Sequence, residues 1–352
     1  QGGAEIVGNT IYANVGIRIY GTHNARVDSN TILLIDQGSL GIHNYQSNYS
    51  SYSNNLIMPE DEFGVYSNGM EIGYNYFTTI HGNEIRNCTN NAIDMHHARN
   101  DTVTQNIVTR DWSCDNDDTH CAFNIHDNSW NNYFSENVIN TNNGPQGADN
   151  DGHGYRRTHD FYGFRGASNN HDNTFVRNSV TIGTTYDDNS AHNNRGFGYL
   201  GNNAVLEGNK VAVYNYSSNS NENDDDWRGR YTACVHGYGQ VTSTNDTLIT
   251  ARNTMGIYAP DLNMSGTIIS NSSSSATEYY KAAYASGSLS MDNVTITGMR
   301  YPVYFTGTSG TIKNSTLVPL GDDGITVTNA DATFNIERVT IIGPGSGTGI
   351  NM

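Results

Sequence analysis

The sequence predicts an all-β solenoid, a single domain of stacked coils. Three observations carry that prediction. A short phrase recurs along most of the 352 residues: Gly or Ala, an apolar residue, a polar residue, an apolar residue, a polar turn, then Asn and an apolar pair. Within the phrase, apolar and polar residues alternate, which is the period of a strand with one buried face. Helix formers are sparse, with only 3 Lys in the chain, and no stretch keeps a 3.6-residue period.

The phrase begins as Gly16-Ile17-Arg18-Ile19 with Asn30-Thr31-Ile32. It continues as Gly41-Ile42-His43-Asn44 with Asn55, Gly69-Met70-Glu71-Ile72 with Asn83, and Ala92-Ile93-Asp94-Met95 with Asn106. Later versions start at Ala122, Phe161, Gly196 and Ala233, and degenerate ones surround Ile257, Ala283, Val303 and Ile325. A repeat of roughly 22 to 30 residues is too short to bury a core alone, so neighbouring coils must share one. About a dozen coils of three short strands result. In the fourth, residues 92–96, 102–104 and 106–108 supply the three. The Asn before each third strand suits a turn. Asn30, Asn55, Asn83, Asn106, Asn137, Asn178, Asn209 and Asn245 should stack as an amide ladder.

This phrase resembles the coil of the right-handed parallel β-helix in the pectin lyase-like superfamily, with its carbohydrate-binding and sugar-hydrolase type repeats. The resemblance covers nearly the whole chain and implies that fold, with residues 1–352 as one helix. It implies a polysaccharide as partner but no single activity, because lyases, hydrolases, epimerases, tailspikes and surface proteins share the coil. The superfamily's catalytic motifs are missing. Gly152-His153-Gly154 precedes Gly321-Asp322-Asp323-Gly324, the reverse of the polygalacturonase order. Tyr162-Gly163-Phe164 is followed by Arg165-Gly166 where mannuronan epimerases carry Asp-Pro-His. No pectate-lyase Arg-x-Pro-x-x-Arg occurs.

Function must then lie in residues that align from coil to coil. Alternation turns Arg18, His43, Glu71, Asp94, Asn124 and Gly163 outward in one column, and His96, His126, Arg165 and Leu200 in the next. Ile17, Met70, Ile93, Phe123, Tyr162, Phe197 and Tyr199 point inward; His236 fits either side. Glu71 and Asp94 on adjacent coils would stand about 5 Å apart, the separation of a retaining glycosidase pair. A lyase would instead draw its base and its carboxylate-neutralising group from His96, His126 and Arg165. Asp94, His96 and His126 also form a candidate metal set. The longest insertions, at 110–120, 141–160, 183–195 and 217–231, would wall this face. With the adjacent turns they supply Trp130, Tyr155, Arg156 and His159, which with Asn124 and His236 form the expected sugar-binding set.

A formal charge of −17 excludes a nucleic-acid backbone as partner. The acidic runs read as solvated loops, with Asp149-x-Asp151-Gly152 as a candidate Ca²⁺ site. Cys114 and Cys121 flank one such loop and could close a small disulfide. Cys88 and Cys234, about five coils and over about 20 Å apart, could not. No apolar stretch is long enough to span a membrane. Asn-x-Ser/Thr sequons recur, with those at Asn245, Asn293 and Asn314 falling on the repeated Asn. An extracellular or cell-surface protein is expected. Two function classes fit. One is a secreted polysaccharide lyase or glycoside hydrolase; the other is a non-catalytic adhesin, tail-fibre segment or filament subunit, self-associating through open coil ends.

Overall fold

The computed structural model describes residues 3–36, 38–60, 67–88, 90–110, 120–143, 161–184, 194–214, 232–251, 254–272, 281–321, 323–343 and 347–352, without the side chains of 142, 143 and 184. The four long insertions lie, apart from their ends, outside these residues. Among the described residues the regular structure is strand throughout. Pairing between coils is parallel. The third strands, from Thr10–Ala13 to Thr340–Ile341, stack as a 13-stranded sheet. First and second strands share a 24-stranded sheet that turns a corner between them. The described residues form a parallel β-helix of thirteen coils, where the repeat phrase predicts about a dozen.

The core is the alternation made solid. Ile17, Ile42, Met70, Ile93, Phe123, Phe164, Phe197 and Val235 stack in one buried column. Phe123, Phe164 and Phe197 lie ring on ring, with centroids 4.6 and 4.9 Å apart. Phe134 and Phe175 repeat the arrangement on the second strands at 5.0 Å. Such offset ring pairs add about 0.5–1.5 kcal/mol each beyond the area they bury.

The asparagine ladder forms, with one change at its end. Each rung's Oδ1 accepts from the preceding rung's backbone N–H and Nδ2–H, and its own Nδ2 donates onward. Asn55, Asn83, Asn106, Asn137, Asn178 and Asn209 are linked in this way at 2.9–3.0 Å. The rung after Asn209 is Asp246 rather than Asn245. Both the backbone N–H and Nδ2–H of Asn209 donate to Asp246 Oδ1, at 2.6 and 2.9 Å. The left-handed turn residue is the one before each rung, as at Asn54, Gln105, Glu136 and Asn245. Asn245, Asn293 and Asn314 therefore occupy turn positions and are exposed, which corrects the expectation that these three sequons lie on the ladder.

Candidate functional site

The outward face of the first strands carries the charged groups, and the strand register fixes who sits beside whom. Arg18, His43, Glu71, Asp94, Asn124, Arg165 and Gly198 succeed one another, one per coil. Arg165 thus follows Asn124 rather than His126. Phe123 faces Phe164, which moves Tyr162 beside Cys121 and Arg195 instead. The second outward column runs Tyr20, Tyr45, Gly73, His96, His126. Gly73 belongs there for a physical reason: a Cβ would collide with the His96 ring, which lies across it.

Asp94 is the hub. Its Oδ1 accepts from Asn124 Nδ2 at 3.0 Å and from His126 Nε2 at 2.9 Å. His126 Nδ1 meets Asp127 Oδ2 at 2.7 Å. Both contacts favour the protonated imidazole. Burial works against that charge, but Asp94 and Asp127 outweigh it and raise the His126 pKa. Glu71 forms the second centre. His43 Nε2 and His96 Nε2 each approach its Oε1 to 3.7 Å, an electrostatic rather than a hydrogen-bonded distance. His96 chiefly, then the His43 and His126 charges, hold the Glu71 carboxyl below the usual range despite its desolvation. The His96 and His126 rings stack at 5.6 Å and join the two centres.

Further along the face the chemistry changes. Arg195 is buried; its Nη1 donates to Tyr162 Oη at 2.5 Å, and its guanidinium lies 4.5 Å from the Tyr199 ring. Gly198 makes room, since a Cβ there would strike both Tyr162 and Arg195. The expected orientations of Tyr199 and Leu200 are reversed. Leu200 enters the core, and Tyr199, in a left-handed conformation, turns outward against His236 and Tyr238. His236 is outward-facing and buried beneath Tyr199 and Tyr258. Burial, with Arg195 nearby, drives its pKa down to about 3, so it is neutral.

Of the residues singled out from sequence, Glu71, Asp94, Asn124, His96, His126 and Arg165 come together on coils three to six. His236 lies two coils beyond Arg165. Trp130 does not join them. It sits at the corner between first and second strands, between Arg99 and His171. Tyr155, Arg156, His159, Asp149 and Asp151 lie outside the described residues. So does Cys114; Cys121 is a free, buried thiol pushed up to about 12 by burial, not half of the expected bridge. Among the described residues no three His, Cys, Asp or Glu side chains converge on a metal position. The expected Asp94, His96, His126 set fails because Asp94 and Asp127 take both nitrogens of His126 and His96 turns to Glu71. Asp127 and Arg195 escaped the sequence reading, which also assigns Tyr199 to the core. Asp127 could have been found from its place directly after His126.

Solved structures place this geometry in a wider setting. The chain is similar to the A-module of a mannuronan C-5 epimerase from Azotobacter vinelandii, at 14% identity and a TM-score of 0.54, covering 98% of this chain and 90% of that one. It is similar to a tailspike protein of an E. coli bacteriophage, solved with a pentasaccharide, at 11% identity and a TM-score of 0.53, covering 96% and 74%. A surface adhesin of Streptococcus pneumoniae gives 12% identity and a TM-score of 0.52, covering 97% and 85%. The fold they share with this chain is the parallel β-helix. No protein-family model and no curated protein matches the sequence. No helix among the described residues is long and apolar enough to cross a membrane.

Proposed function

We propose that the first-strand face binds a polysaccharide along coils three to eight and acts on it by proton transfer, as a uronate lyase. The observation that carries this reading is the gathering of His96, His126 and Arg165 on adjacent coils, against the carboxylates of Glu71 and Asp94. In an elimination the base removes the proton at C5, the electron pair forms the C4=C5 double bond, and the C4–O bond breaks with the leaving oxygen taking the proton back from the protonated base. Arg165 suits the uronate carboxylate, whose charge must be neutralised before C5 gives up its proton. His96, against Glu71, serves as the base. Asn124, with its Oδ1 buried and unpartnered, offers an acceptor to a sugar hydroxyl.

Hydrolysis fits less well. A glycosidase acid needs a carboxyl kept protonated by a raised pKa. Glu71 shifts the opposite way, and Asp94 is committed to Asn124 and His126. The similar mannuronan epimerase and pentasaccharide-bound tailspike support a glycan as partner, and the surface adhesin supports an extracellular or surface setting. Ca²⁺ is retained as a candidate cofactor on the strength of Asp149 and Asp151. A second reading, an adhesin or filament subunit without turnover that self-associates through its coil ends, is favoured by the exposed sequon residues Asn245, Asn293 and Asn314.

The test is incubation with alginate, polygalacturonate and neutral glucans, with and without Ca²⁺, following chain length and unsaturated-product absorbance together. Shortening with new absorbance is expected. Shortening without it would replace the lyase by a hydrolase, and no shortening at all would favour the second reading.

A further inference from the structure

At the corner between first and second strands, one position in each of the first seven coils adopts a left-handed backbone. Its N–H donates to the carbonyl one residue earlier on the next coil, which fixes the equivalence. Asn24, Asn100, Asn131, Asp172 and Asn203 occupy it with φ of 55–57°. Asn and Asp tolerate that conformation; bulky side chains rarely adopt it. Yet two consecutive coils carry Tyr49 and Phe77 there, at φ 56° and 57°. These rings do not enter the core. They lie nearly parallel, 7° apart with centroids at 5.3 Å, and stay 59% and 52% exposed.

Two strained residues displaying large apolar rings to solvent add nothing to folding that Asn does not supply at less strain. Strain kept at adjacent surface positions points to use. The surroundings say what kind. Beside the pair, the Arg99 guanidinium lies 5.4 Å from the Tyr76 ring and 5.2 Å from Trp130, which stacks on His171 at 5.6 Å. Tyr74, stacked on His97 at 4.2 Å and edge-on to His96 at 5.5 Å, links this corner to the His126 face. The corner is thus an aromatic strip with polar edges, and its rise per coil is close to the length of one pyranose unit.

We infer that Tyr49 and Phe77 form a second, non-catalytic glycan platform, on which pyranose rings of a long chain stack outside the first-strand groove. Apolar sugar faces cover the exposed rings, and Arg99 and the neighbouring Asn100 and Asn131 side chains are in reach of the hydroxyls. This rests on the reading of the protein's partner as a glycan, but not on turnover.

The experiment is native gel electrophoresis through alginate, polygalacturonate or mixed-linkage β-glucan, comparing the unmodified chain with Tyr49→Asn/Phe77→Asn. The double change restores the residue of neighbouring coils, so its melting temperature should equal or exceed the parent's. Retardation of the parent by at least one polysaccharide, weakened about tenfold or more in apparent affinity by the double change, is expected. Equal retardation of both proteins would overturn the platform, as would a parent that no polysaccharide retards. A parent that is retarded but cleaves nothing would remove the lyase reading and leave the platform standing, provided the double change still weakens retardation.

Discussion

The coils up to Asn209 and those from Asp246 onward share one backbone and differ in what they carry. In the first group every rung is Asn, and the outward column of the first strand holds His43, Glu71, Asp94, Asn124 and Arg165. In the second, Asp246, Thr267, Val294 and Ser315 take the rung position, and the outward column becomes His236, Tyr258, Tyr284 and Tyr304. Lys281 lies over the last two rings, 4.9 and 4.0 Å from their centroids. Val294 at a rung shows that the amide ladder is not required for a coil to close. The common factor is the inward column, which runs unbroken through Val235, Ile257, Ala283, Val303 and Ile325. Apolar alternation makes the solenoid, and the outward residues are free to specialise.

The largest effect separating the two regions should be on turnover. His126→Ala is expected to lower unsaturated-product formation by about 10²–10⁴-fold with an unchanged circular dichroism spectrum, whereas Tyr304→Phe should leave it within a few-fold. Asp94→Asn removes a group that raises the His126 pKa. If the proton on His126 is needed, activity falls as pH rises through that pKa. The alkaline limb of the rate profile should therefore move to lower pH in the variant, and an unmoved limb would count against His126 as the titrating group.

The inward column offers a stability contrast. Phe164→Ala removes the middle ring of the phenylalanine stack and should cost about 3–5 kcal/mol in urea unfolding, although Ala283 fills the same column in a later coil. That coil has grown its packing around a small side chain, and the sixth has not. A smaller effect is expected on the ladder. Asn137→Ala strands the Asn106 donors and the Val103 and Asn178 acceptors it serves, at about 1–3 kcal/mol for a buried polar group left unpaired. Ser315→Ala in the second region, where Val294 N–H loses one bond, should cost less than Asn137→Ala in the same denaturant series.

The smallest predicted change runs in the stabilising direction. Asp101 is buried within a second set of rungs, accepting from Thr78 N–H at 2.7 Å and donating its own N–H to Asn132 at 3.0 Å, with Oδ2 unpartnered. Burial raises its pKa well above the ordinary value. The folded state then holds a proton that the unfolded chain releases above about pH 4. Stability is complete below that point and is lost as pH rises toward the folded-state pKa. Asp101→Asn removes this loss, so it should raise the melting temperature at pH 7 and leave it little changed near pH 3.

Much of this was legible beforehand, and the misses share a cause. Period-2 alternation locates strands and buried faces, which is why Ile17, Met70, Ile93 and Phe123 were placed correctly. It is blind to a shift of two residues, because the same faces stay apolar. Tyr162-Gly163-Phe164 fits Phe123 at either aromatic, and only the three-dimensional register shows that Phe164 is the partner and that Arg165 follows Asn124. The ladder failed at Asn245 for a related reason. A left-handed turn residue and the rung after it both favour Asn, so one Asn in a degenerate coil could be either. The pairing of His126 with Asp127 depends on a backbone turn that alternation cannot describe.

The amides of the ladder all point one way, each donating toward the next coil, so the row has a sender and a receiver at every joint. A whole coil added or removed between Asn55 and Asn178 would leave each joint matched, and the length of the protein could change in single-coil steps without redesign. A break after Asn209 is different: two donors would lose Asp246, the carboxylate that receives them. The ladder behaves as a punctuated sentence, extendable in the middle and closed by one specific stop.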